Sequence, residues 1–476
     1  MAQFSDLPIE LLVLILQHIP KPAHLAKICL VDKAFDKFGR EQLYRQIYIY
    51  AWHKDAKLKV IKLFQTLATS PSLARYVEKL TIRDFPRAVL LGKREEIISL
   101  CLLGIRNCVN LRACTWTRHG SISTALLEAF QQLPHLTDLE INGENHWQYK
   151  ADTLRHFNHL RKLSLIMPSS SVVGILHEWI PVTAHTLRHL SLICKSTAVI
   201  TDQLLEDIGP SLVNLEHLYL VGCPKVTHRG LLAAISSSQH GLLSLGIEGV
   251  SPTFDMGQFA DHCLSSGVLR RLRSITLAVH VVSTQPTKTL TDGTNVSRWS
   301  AQVVEMLSQS PLELLHISTL GGDVGGELSN DFCSMLLSTH ASRLRRFSVH
   351  RMRISTDAIK QICSRCDHLE QLFVVTEQDD LDSLCDALSL TRSLHTLHVN
   401  RPLEEHSETL PVVPKDRILK VVRRCGSELQ QVGFNTRVWQ VQRNVIRKED
   451  ASLDIELDLA PYEHPEIPEQ FLVVRT

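Results

Sequence analysis

The feature that most constrains this chain is a spacing. The pattern L-x-x-L-x-L, with other apolar residues admitted at the leucine positions, recurs thirteen times along the 476 residues. The clearest copies are Leu136-x-x-Leu139-x-Ile141, Leu160-x-x-Leu163-x-Leu165, Leu187-x-x-Leu190-x-Leu192 and Leu215-x-x-Leu218-x-Leu220. Leu242-x-x-Leu245-x-Ile247, Leu312-x-x-Leu315-x-Ile317, Leu369-x-x-Leu372-x-Val374 and Leu394-x-x-Leu397-x-Val399 continue the series, and weaker copies centre on Leu80, Cys114, Ile275, Phe347 and Val432. Successive centres lie 24 to 40 residues apart. A code of this period does not close one core; each unit buries its apolar face only against its neighbours. The central L-x-L alternates, so a short strand sends its leucines inward and the intervening residues outward. Stretches such as 201–208 and 355–366 read as the helices between strands.

The expected fold class is therefore α/β, a solenoid of about thirteen units whose parallel strands line the concave face of a horseshoe. The spacing matches the 20–29 residues of a leucine-rich repeat, with the longer gaps as insertions. Residues 280–300, with a turn at Asp292-Gly293, form the widest insertion; 321–326 and 402–414 read as two further loops. Leu453 to Leu459 alternates strictly and predicts a last strand.

Charge excludes some partners. The 51 basic residues balance 50 acidic ones, with no basic block, so neither nucleic acid nor a membrane surface is an expected partner. No stretch approaches the roughly 18 apolar residues of a membrane helix, and Asp6 and Glu10 stand where a secretory leader needs positive charge. The twelve cysteines are scattered among leucines, which points to a reducing compartment, cytoplasmic or nuclear. The sequon Asn295-Val296-Ser297 then has no meaning.

The first fifty residues differ from the rest. Ser5 and Asp6 are capping residues, Pro8 suits a first helical turn, and Glu10 favours the positive end of the helix dipole. Leu12, Ile15, Leu16 and Ile19 follow at the spacing of one helix face, and Pro20 and Pro22 end that helix. A second short helix carries Leu25, Ile28 and Cys29, and a third begins near Asp32 and runs through Phe35 and Phe38 towards Leu43. Three short helices make a marginal core. They are either a cap on the following structure or a docking module completed by a partner helix. The organisation expected is a helical module over 1–50, linking helices over 51–72 anchored by Trp52, Leu58, Ile61, Leu63 and Phe64, repeats over 73–460, and a tail over 461–476.

The run Leu7-Pro8-Ile9-Glu10-Leu11-Leu12, then Ile15-Leu16, Ile19-Pro20, Leu25, Cys29-Leu30-Val31 and Phe35, closing on Leu43-Tyr44-Arg45, resembles the F-box motif over residues 4–48. Tyr44 stands where many members carry tryptophan. The resemblance implies that this segment binds the Skp-type adaptor of an SCF-type cullin–RING ubiquitin ligase, and through it a cullin scaffold. The adaptor-binding positions it carries over are Leu7, Pro8, Leu12, Ile15, Leu16 and Ile19, packed either internally or against the adaptor. The unit from Leu215 looks like the cysteine-containing leucine-rich repeat that often accompanies F-boxes, with Cys223 at the turn after the strand. The function implied is a non-catalytic substrate receptor with an unknown protein client. The alternative is a repeat scaffold without ligase function.

Nothing in the sequence calls for a cofactor or a metal. Cys363-x-x-Cys366-x-His368 lacks a second ligand pair at finger-like spacing, and G-x-S-x-G, H-E-x-x-H and G-x-x-x-x-G-K-[ST] do not occur. What the repeats offer is a surface. Alternation places Lys79, Thr81, Arg83, Asp138, Glu140 and Asn142 outward, followed by His189, His217, Tyr219, Val221 and His316. Arg346, Ser348, His350, Gln371, Phe373, Val375, His398 and Asn400 continue that row. His217, Tyr219, Val221, His350, Phe373 and Val375 are the candidate client-binding residues, with Tyr219 and Phe373 foremost as exposed aromatics. A rival expectation has the apolar tail segment Phe471-Leu472-Val473-Val474 covering them.

Overall fold

The computed structural model describes residues 8–19, 21–86, 91–146, 148–195, 197–280, 293–320, 327–377, 381–402, 413–447 and 452–462. The chain forms two compact units, which meet in sequence at Ile193 and Cys194.

The first unit opens with three helices, α1 (Ile9–Gln17), α2 (Pro22–Ile28) and α3 (Lys33–Arg45). Pro22 occupies the first turn of α2, where its missing N–H costs nothing. Asp32 caps α3, its carboxylate accepting from the backbone N–H of Ala34 at 2.7 Å and of Phe35 at 2.9 Å. Leu12, Leu16 and Leu25 are buried together, and Ile19, Ile28, Ala34, Phe35, Phe38 and Leu43 pack around them.

Helix α3 leads without a break into β1 (Gln46–Ile49), a strand that the repeat pattern does not announce. β1 pairs in parallel with β2 (Lys79–Ile82), and the ladder continues through β3 (Ala113–Trp116), β4 (Asp138–Asn142), β5 (Lys162–Ile166) and β6 (His189–Ile193). Between β1 and β2 lies α4 (Ala56–Thr69), which buries Val60, Phe64 and Leu67. Of the residues expected to anchor the linking helices, Phe64 is buried, whereas Trp52 and Leu58 are exposed. Trp52 precedes the helix and stacks flat on Tyr50, ring centres 4.4 Å apart, and Leu58 faces away from the helix's buried side.

The second unit carries β7 (His217–Val221), β8 (Ser244–Glu248), β9 (Ser274–His280), β10 (Leu314–Leu320) and β11 (Glu327–Leu328). It continues with β12 (Arg346–His350), β13 (Arg353–Ile354), β14 (Gln371–Val375), β15 (Thr396–Asn400), β16 (Gln431–Phe434), β17 (Arg437–Arg447) and β18 (Leu453–Pro461). The strands from β7 to β16 pair in parallel, except that β11 and β13 pair with each other as a small separate sheet. β17 and β18 close the order as antiparallel strands.

The repeat centres are the spine of both units. In the first, Leu80, Cys114, Leu139, Leu163 and Leu190 are direct partners from strand to strand. In the second, Leu218, Leu245, Ile275, Leu315, Phe347, Leu372, Leu397 and Val432 are. All thirteen are at most 1% exposed. Pairing at one register keeps every such side chain on the core face, because a slip of one residue would turn all of them outward. The return segments are mostly helices begun by a capping side chain. Ser123, Ser169, Thr201, Thr227, Asp255, Ser329 and Ser355 each accept a backbone N–H of the first turn. This is the leucine-rich-repeat solenoid fold.

Two local expectations change. Gly293 to Ser300, read as part of a loop, begin a helix that runs to Leu307. The expected last strand exists as β18, but its partner β17 was not anticipated, because Arg437–Arg447 mixes polar and apolar residues without strict alternation. Asp292, the stretch 321–326, most of 402–414 and the tail segment 471–474 lie outside the described residues.

Candidate interaction surfaces

The three N-terminal helices split their apolar residues into two populations. Leu12, Leu16 and Leu25 form the inner cluster, with Ile19 packed against it. Leu11, Leu14 and Ile15 on α1, and Leu30 and Val31 at the turn after α2, are exposed, Leu30 by 85%. Pro8 is exposed as well, and Leu7 lies outside the described residues. Of the adaptor-binding positions named from sequence, Pro8 and Ile15 therefore face outward, and Leu12 and Leu16 face in. Three exposed apolar residues on one nine-residue helix leave a surface that the module's own core does not use.

In the first unit the outward row of the sheet is mostly polar, with Ile166 and Ile193 among the exceptions. Arg83 and Glu140 are mostly enclosed and form an ion pair at 2.7 Å, so the basic and acidic ends of that stretch neutralise each other. Asn142 is buried, its amide donating to the carbonyl of Thr117 at 3.2 Å.

In the second unit the row is built from rings and small residues. His217, Tyr219 and Val221 are half-buried on β7, and His217 shares a hydrogen bond of 2.9 Å with Ser244 Oγ through Nδ1. The Tyr219 ring lies over Gly246 of the next strand, so closely that a Cβ there would sit 2.3 Å from the ring. His398 lies over Gly433 in the same way. His350 is half-buried.

Phe373 and Val375 correct the sequence reading. Alternation does set them on the outward face of β14, but both are buried, each 2% exposed. The Phe373 ring packs tilted against His398, centres 5.1 Å apart. Rings in this row lie along the sheet instead of standing off it, and an outward position is then not an exposed one. His316, also on the row, is buried and shares 2.8 Å with Ser348 Oγ. Burial first, then the neighbouring His350 and Arg346, pull its pKa down to about 3, so its imidazole is neutral.

Glu248, at the outward end of β8, was not singled out from sequence although the alternation rule covers it. Its Oε1 is enclosed and accepts no hydrogen bond from the described residues. Burial pushes its carboxyl up to about 7, against the opposing pull of Arg351.

All twelve cysteines are free thiols. Burial pushes Cys363 well up and Cys366 up to about 12, as expected of thiols packed in an apolar core. Cys194 and Cys223 share a hydrogen bond that lowers the first thiol and raises the second. Among the described residues no helix is long and apolar enough to cross a membrane.

No protein-family model matches the chain. No curated protein matches it. Among solved structures it is similar to a chain of the yeast Rad7–Elc1 complex, at 13% identity over 72% of this chain and 89% of that one, with a TM-score of 0.43. It is similar to the leucine-rich-repeat protein LegL7 from Legionella pneumophila at 14% identity, 66% and 90% coverage and a TM-score of 0.35. An internalin from Listeria monocytogenes follows at 12% identity, 81% and 95% coverage and 0.28.

Proposed function

We propose that the chain is a non-catalytic substrate receptor of an SCF-type ubiquitin ligase. In this reading residues 1–50 dock a Skp-type adaptor and through it a cullin, 51–72 link the module to the repeats, and the repeats of 73–460 hold a protein client. The observation that carries the reading is the division of apolar residues in the N-terminal helices. A self-sufficient cap would turn Leu11, Leu14, Ile15, Leu30 and Val31 inward or replace them by polar residues; these helices expose all five. Helical burial of such a row against a partner helix is a common recognition mode. The client surface in this reading is His217, Tyr219, Val221 and His350, with Phe373 and Val375 further along the same row but enclosed.

The test is reconstitution with a purified Skp-type adaptor. Leu14→Asp with Ile15→Asp, both on exposed positions, is expected to weaken adaptor binding at least a hundredfold while the circular-dichroism melt stays unchanged. Leu7→Ala with Pro8→Ala is expected to act in the same direction. Undiminished binding by a folded Leu14→Asp/Ile15→Asp protein would sink the assignment.

A further inference from the structure

The sequence offers no finger-like ligand set, yet the fold assembles three ligands elsewhere. His119 lies in the turn after β3, and Glu144 and His146 lie in the turn after β4. Their ligand atoms all fall within 4.8 Å of one another. One Glu144 oxygen stands 2.8 Å from His119 Nδ1, and the other contacts His146 Nε2. The two imidazoles meet edge to face with centres 5.1 Å apart.

We propose that His119, Glu144 and His146 bind a divalent first-row transition metal of the zinc type. Two imidazoles and one carboxylate form a borderline donor set that suits zinc and leaves a fourth tetrahedral position for water. Metal–ligand bonds of about 2.0–2.2 Å place tetrahedral ligand atoms about 3.3–3.6 Å apart. The Glu144 oxygens stand closer to the two rings than that spacing, so a metal would part each of these contacts slightly to sit between them.

The backbone carrying them is tied down from both sides. The Asn142 carboxamide accepts from Glu144 N at 3.0 Å and donates to Thr117 in the neighbouring turn. Asn145 accepts from Ser169 Oγ at 3.1 Å, and Gly143 lies so close to Pro168 that a Cβ would sit 2.7 Å from it. On the His119 side, Trp116 Nε1 donates to Ser121 Oγ at 2.8 Å, which in turn donates to the Arg118 carbonyl at 2.6 Å. The nearby Arg118 cation is 3.6 Å from Asp84, which offsets its charge at the site. A metal here would cross-link the turns of two adjacent repeats. The Cys101 and Cys108 thiols, each pushed up to about 12 by burial, are poor competitors for it.

The experiment is zinc titration of the metal-stripped full-length chain by calorimetry, with equilibrium dialysis for stoichiometry. The wild type is expected to bind one equivalent more than His119→Ala/His146→Ala and to gain thermal stability from zinc that the variant does not gain. Glu144→Gln preserves the shape of the site and is expected to weaken zinc at least tenfold, which keeps the test valid if the double variant misfolds. Substituted cobalt(II) is expected to show ligand-field bands without thiolate charge transfer. Equal zinc stoichiometry and affinity in wild type and Glu144→Gln, or a thiolate charge-transfer band at the first equivalent, would overturn the proposal.

Discussion

The N-terminal helices and the repeats are both leucine-rich, but they use leucine differently. In the ladder every central residue, from Leu80 to Val432, is enclosed because a neighbouring strand supplies the other half of its environment. In α1, adjacent leucines part company: Leu12 is buried and Leu11 is 41% exposed. The difference is one of partners. A repeat brings its own neighbour with it at a fixed distance in sequence, whereas three short helices enclose only a few side chains among themselves. Leucines left over in such a module indicate a missing surface; leucines in the ladder indicate nothing beyond the fold.

The largest effect is expected inside the ladder. Leu218 is fully enclosed between strands, so Leu218→Ala should cost about 2–5 kcal/mol in a denaturant titration. The neighbouring Tyr219, on the opposite face of β7, should cost much less on truncation. Equal losses at the two positions would contradict the register and, with it, the contrast between an inner and an outer face.

Next comes a pH-dependent term on the outer face of the second unit. The Glu248 carboxyl is raised from its ordinary 4.5 to about 7 by burial. A raised carboxyl binds its proton more tightly in the folded state. Its contribution is fully present below about 4.5 and is lost as pH rises through about 7. Glu248→Gln, permanently neutral, should therefore match the wild type near pH 4 and exceed it by about 3 kcal/mol at pH 8. Melting both proteins across that window measures it, and parallel curves would remove the enclosed carboxylate from the account. His316 titrates with the opposite sense. Its depressed pKa contributes stability above about 6.5 that is lost as pH falls towards about 3.

A third effect, of about 1–2 kcal/mol, concerns how the outer row is packed. Gly246→Ala places a methyl where the Tyr219 ring lies and should destabilise by that amount. Tyr219→Ala should relieve most of the cost, so a double-mutant cycle should show coupling between the two sites. Additive losses would mean that the ring does not rest on Gly246.

The same examples show what was legible beforehand. The thirteen centres and their strands follow from spacing alone, since a period and an alternation fix both position and face. The helices at 202–208 and 356–365 were legible from capping threonine and serine before an apolar face. Strand β1 was not, because Gln46–Ile49 follows helix α3 directly and lacks the leucine signature. The burial of Phe373 was not, because alternation tells a face and not what lies along it. The cluster of His119, Glu144 and His146 was missed for a subtler reason. His119 follows its repeat centre Cys114 by five residues, and Glu144 follows Leu139 by five. The two hold equivalent positions in adjacent repeats, where paired strands lie about 4.8 Å apart. Aligning the repeats by column, rather than scanning for local metal motifs, contains that signal.

The smallest expected effect on stability is the one that separates the two uses of leucine most sharply. Leu14 is 54% exposed on a nine-residue helix and makes no part of the Leu12, Leu16 and Leu25 cluster. Replacing it by serine removes a good helix former but opens no cavity, so Leu14→Ser should change the unfolding free energy by only about 0.5 kcal/mol. Leu16→Ala, two positions on and 1% exposed, should cost at least about 2 kcal/mol. Hydrogen exchange of the α1 amides in each variant distinguishes local fraying from global loss. If Leu14→Ser destabilises as much as Leu16→Ala, the exposed row is structural after all, and the case for a partner on this face loses its footing. If Leu14→Ser is neutral for folding yet lowers adaptor affinity, the unused leucines of the helical module have the role that their exposure implies.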